Sequence, residues 1–70
     1  MLPISLSEPG KAVVIQRIGG TAEVRRHLET LGFTVGETVS LVSALNGSVI
    51  VKVKESRVAI GEELARKIMI

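Results

Sequence analysis

The segment Thr38-Val39-Ser40-Leu41-Val42-Ser43, followed by Asn46-Gly47 and then by Val49-Ile50-Val51-Lys52-Val53-Lys54, decides the architecture. Val49, Val51 and Val53 alternate with Ile50, Lys52 and Lys54, a period of two that predicts a strand with one apolar and one exposed face. Asn-Gly supplies the turn, because both central residues of a type I′ hairpin need positive φ. Thr38–Ser43 therefore pairs with the valine strand. Leu45 stands beside the turn, where a large aliphatic side chain has little core to reach, so it either meets a partner or packs over the barrel mouth.

Upstream, Phe33 to Glu37 is a short connection, and before it lies a bounded helix. Thr21 is a good N-cap, Glu23 suits the positive end of the helix dipole, and Val24, Leu28 and Leu31 share one face. Gly32 is the expected left-handed residue that stops the helix. Lys11 to Ile18 predicts one strand, entered by the Ser7-Glu8-Pro9-Gly10 turn and ended by Gly19-Gly20. Downstream, Glu55-Ser56 turns the chain into a short strand, Arg57-Val58-Ala59-Ile60. Gly61 to Lys67 predicts one or two helical turns, acidic first and basic last, and Ile68-Met69-Ile70 a closing strand.

About five short strands, one α-helix and a short C-terminal helical turn predict a mainly β fold, a small SH3-like partly closed barrel. Closure removes the open edges of a small sheet. An open sheet with the helix packed across it is the alternative. A chain of 70 residues has room for a single domain, 1–70. It has no Cys and one His, so neither disulfides nor a zinc site can staple it. The core must rest on Val, Ile and Leu, since Phe33 is the one aromatic residue.

Composition also narrows the function. Nucleophile arrangements fail: there is no Cys, no Ser lies in a Gly-x-Ser-x-Gly elbow, and His27 falls mid-helix at the border of the apolar stripe. Gly19-Gly20-Thr21 lacks the Gly-Lys-Ser/Thr triplet of a phosphate loop and serves the strand-to-helix turn. With no Asp in the chain, Glu8, Glu62 and Glu63 are a poor set for hard cations, and the adjacent pair suits a helix start. The reading is a binding module without enzymatic activity, cofactor or metal site. A formal net charge of +2 and scarce aromatics argue against nucleic acid, although small nucleic-acid-binding barrels remain an alternative. No apolar run reaches the roughly 20 residues of a membrane span, and the N-terminus lacks a signal-peptide core, so a soluble cytoplasmic protein is expected. Its positive mean hydropathy predicts exposed apolar surface kept for a partner. Candidate contact residues are Leu45 at the hairpin tip, Lys52 and Lys54 on the exposed strand face, and Arg25 and Arg26 on the outer helix face. The arginine pair with Lys11 or Arg17 would make a basic patch, which without aromatics is usually a solvated face.

The linear pattern Gly19-Gly20, Arg25-Arg26, Leu28-x-x-Leu31-Gly32-Phe33-Thr34-x-Gly36-x-x-Val39 resembles the hallmark of the FeoA family. The second half agrees, with Gly47, Val49-x-Val51-x-Val53 and Arg57-Val58-Ala59-Ile60-Gly61-x-Glu63-Leu64-Ala65-x-x-Ile68-x-Ile70. Val35 departs from it, standing where family members often carry Pro. The resemblance implies an SH3-like accessory protein of bacterial ferrous iron uptake. It would act in the cytoplasm by protein contact with FeoB, a membrane transporter bearing a GTP-binding domain, and be recruited to the inner membrane face by that partner. The resemblance also implies a family-level association with iron and transition-metal ion binding. The same barrel occurs as the C-terminal domain of iron-dependent repressors, which is the nearest alternative identity. This sequence lacks the repressors' DNA-binding part, and its poor ligand inventory predicts that it does not hold iron tightly by itself.

Overall fold

A computed structural model describes every residue from Met1 to Ile70. A 3-10 turn, Ile4–Leu6, precedes β1 (Ala12–Val14), β2 (Arg17–Ile18), α1 (Ala22–Thr30), β3 (Thr38–Leu45), β4 (Ser48–Val53), β5 (Ser56–Gly61), α2 (Glu62–Ala65) and β6 (Ile68–Met69). β1, β3, β4 and β5 form one antiparallel sheet in that spatial order, and β2 pairs with β6 in a second, two-stranded ladder.

The hairpin of β3 and β4 turns on Asn46 and Gly47, at φ 53° and 78°, as the type I′ geometry demands. Its register contains a feature absent from the sequence pattern. Leu41 faces Val51 but Ser43 faces Ile50, so Val42 is bulged out of the ladder. Without the bulge, the alternation that turns Val39 and Leu41 inward would carry on to Leu45. The extra residue reverses the phase, and Ala44 takes the place opposite buried Val49. Leu45 pairs with Ser48 instead and is turned out to solvent.

The expected first strand is two strands. Ala12–Val14 pairs with β3, and Arg17–Ile18 with β6. Between them the chain turns a corner at Ile15 and Gln16. The Ile15 N–H donates to the Glu37 carbonyl at 3.0 Å, and the Gln16 N–H to that of Met69 at 2.7 Å. The Ile15 side chain is buried at this corner. One continuous strand cannot serve two sheets without such a bend, and the bend is what wraps the barrel. β5 is hydrogen-bonded to β4 alone, so closure is partial.

The helix meets its expected ends. The Thr21 hydroxyl accepts from the Val24 N–H at 3.2 Å. At the other end the Gly32 N–H donates to the Glu29 carbonyl and the Phe33 N–H to that of Leu28, each at 2.9 Å. These two bonds, with Gly32 at φ 103°, make a Schellman stop, and its customary apolar contact joins Leu28 and Phe33. Both are 0% exposed, so the helix stop also seats the only aromatic ring in the core. The thirteen buried residues are all apolar, drawn from both sheets, both helices, the N-terminal turn that carries Ile4, and the connections that carry Ile15 and Phe33. Leu2 and Ile70 exchange backbone bonds at 3.0 and 2.8 Å, so the chain ends are tied together.

Candidate functional site

The five residues expected to touch a partner fall on three separate surfaces. Leu45, thrown outward by the bulge, is 70% exposed. It lines a groove of about 230 Å³ that Leu6, 73% exposed on the 3-10 turn, also lines. Leu6 was missed in the sequence, where the N-terminal stretch has no periodicity. The available signal was a leucine between Ser5 and Ser7 in a proline-led turn, a polar setting in which a large aliphatic is hard to bury.

Lys52 projects from the exposed face of β4. Lys54 does not share that face, contrary to expectation. β4 ends at Val53, and Lys54 opens the two-residue turn into β5 with φ 56°. The period-two pattern continues through Lys54 only on paper, because β5 pairs Ser56 with Val53 and forces the reversal there. The two lysines still border one shallow depression, which Glu37 also lines.

Arg25 and Arg26 lie exposed on the outer side of α1 as expected, and Arg17 of β2 joins them around a groove of about 510 Å³. Of the two basic residues that the sequence offered as companions to the Arg25-Arg26 pair, Arg17 lines the groove and Lys11 does not. His27 is exposed on the same helix. One ion pair is present, Arg66 to Glu62 at 3.1 Å on the surface of α2. No three His, Cys, Asp or Glu side chains converge as metal ligands. No helix is long and apolar enough to cross a membrane.

A bulged four-stranded sheet and a two-stranded ladder, wrapped on an all-aliphatic core around one phenylalanine, define a small SH3-like barrel with shallow surface grooves. The FeoA domain family model matches residues 2–70, and the chain belongs to that family. A protein of Methanocaldococcus jannaschii named for Fe(2+) transport, transport protein A, is 31% identical over 70 residues, spanning 100% of this chain and 85% of that relative. The crystal structure of an iron uptake regulatory protein (FeoA) superposes with a TM-score of 0.85 at 31% identity, over 96% of this chain and 89% of the other. A manganese-dependent transcriptional repressor gives a TM-score of 0.83 at 16% identity over 94% of this chain and 38% of its own, a likeness of fold alone.

Proposed function

We propose that this chain is a cytosolic accessory protein of ferrous iron transport that works by contact with the FeoB membrane transporter, without catalytic chemistry or tightly held iron of its own. Membership of the FeoA family places it in ferrous iron transport. The observation that carries the contact reading is the outward-turned Leu45 beside Leu6. Burying one leucine side chain against a partner is worth about 1.5–3 kcal/mol, and two neighbours suffice as the apolar centre of a modest interface. The pair is largely exposed and adds little to the chain's own core.

The test is capture of the cytosolic portion of the transporter by the immobilised chain, with and without guanine nucleotide. Leu45→Asp and Leu6→Asp are expected to keep the far-ultraviolet circular dichroism and weaken capture roughly tenfold or more. Unchanged capture by both variants refutes this surface. Absence of capture by the unaltered chain refutes the partnership.

A further inference from the structure

The groove between β2 and α1 concentrates the molecule's charge. Ala22, Arg25, Arg26 and Glu29 face it from α1, at positions i, i+3, i+4 and i+7, so they form one continuous stripe. Arg17 stands on the facing wall, and Gly19 and Gly20 lie along the groove without side chains to fill it. The Gly19 N–H donates to the Lys67 carbonyl at 2.7 Å, which fixes this wall to the barrel. Three guanidinium groups against one carboxylate give the groove an excess of two positive charges, equal to the formal net charge of the whole chain. Setting these four residues aside from nine basic and seven acidic ones leaves six of each. The remaining charges therefore cancel in number, and this groove carries the formal surplus.

None of these arginines is spent internally. The sole ion pair is elsewhere, and no hydrogen bond engages the guanidinium of Arg17, Arg25 or Arg26; Arg26 enters one only through its carbonyl, which accepts from the Thr30 hydroxyl. Each guanidinium has five N–H donors in a planar fork that matches a carboxylate two bonds at a time. The stripe on α1 spans roughly 10 Å at 1.5 Å per residue, the length of about three residues of extended peptide. Val35, 64% exposed, borders the same groove and offers apolar contact to a side chain lying between acidic ones.

We propose that this arginine-lined groove is the docking site for a short acidic segment of the chain's protein partner, an inference that rests on the contact reading above. Protein is favoured over nucleic acid because the one aromatic side chain, Phe33, is 0% exposed and no surface ring is present to stack on a base. Glu29 inside the groove also opposes a continuous polyanion, whereas a peptide can place a neutral residue beside it.

The test is titration of the isotope-labelled full chain with an acetylated penta-glutamate peptide, followed by amide shifts. The expected shifts are confined to Gly19, Gly20, Arg25 and Arg26 and their neighbours, and weaken as salt is raised. Arg25→Glu with Arg26→Glu, both exposed and neutral to folding by circular dichroism, is expected to weaken the peptide roughly tenfold. Arg25→Lys with Arg26→Lys keeps the charge, loses the fork, and is expected to fall between the two. Shifts spread over the surface, or charge-reversed protein that binds equally well, overturn the proposal. So does tighter binding of octathymidylate or of phosphatidylserine vesicles to the same residues. In the capture assay, the transporter held equally by the unaltered and charge-reversed chains sinks the groove and leaves the partnership standing. Peptide bound in the groove with no transporter captured supports the groove and sinks the partnership.

Discussion

Replacing Gly32 by alanine isolates what the helix stop contributes. Gly32 has φ 103°, beyond even the ordinary left-handed well, yet a Cβ added there would meet Val53 Cγ2 at 3.5 Å and Cγ1 at 3.7 Å. Those are ordinary contacts, so there is room for the methyl group and the penalty is backbone strain alone. Forcing an L-residue into such a conformation costs about 1–2 kcal/mol. Alanine also narrows the unfolded ensemble, which returns about 0.4–1 kcal/mol. The net expectation is a loss of about 1 kcal/mol, or roughly 4–8 °C in Tm for a domain of this size. Urea unfolding followed by circular dichroism measures it, with the slope unchanged. D-alanine at the same position, introduced by chemical synthesis, adopts positive φ without strain and keeps the entropic gain, so it is expected to stabilise. Opposite signs for the two enantiomers are the signature. A neutral or stabilising L-alanine, or equal losses for both, would show that the Schellman stop is not what holds α1 against the core.

Three further expectations concern the same framework. Thr34 to Glu37 is a turn closed by the Glu37 N–H on the Thr34 carbonyl at 3.1 Å, with Gly36 at φ 92°, the type II pattern that favours proline at Val35. Val35→Pro should therefore raise stability by about 0.5 kcal/mol in urea unfolding, and a loss would contradict the turn assignment. Lys54 holds positive φ in its turn, so Lys54→Asn is expected to stabilise by about 0.5 kcal/mol and β-branched Lys54→Val to destabilise by about 1 kcal/mol, as measured by thermal melts. Phe33→Leu should cost about 1–1.5 kcal/mol and stay folded, while Phe33→Ala should cost about 3–5 kcal/mol, a large share of the total for a chain this small; equal losses in calorimetry would contradict the close packing described.

The elements that were legible before the structure share one property. The Asn46-Gly47 turn, the Thr21 cap and the Gly32 stop are each decided by residues within about five positions of one another. Backbone sterics and a few local hydrogen bonds settle them wherever they occur. The alternation from Val49 to Val53 likewise marks β4 because each side chain's face follows from its own parity. The FeoA resemblance rested on the same local punctuation and on its order along the chain.

Other features are set by distant partners. Nothing between Lys11 and Ile18 announces the corner at Ile15, which exists because β3 and β6 claim the two halves of that stretch. The bulge at Val42 is invisible in the alternation of β3, and it shifts which residues of the hairpin face the core side, leaving Leu45 exposed at a tip where Ala44 is exposed as well. Arg17 stands eight positions from Arg25, and only the fold sets the three arginines around one groove. The sequence by itself determined where the chain turns, caps and reverses, because those are short-range decisions of φ, hydrogen bonding and parity. Tertiary structure decided which side chains face outward together, because bulges and corners answer to the fit between strands far apart in the chain.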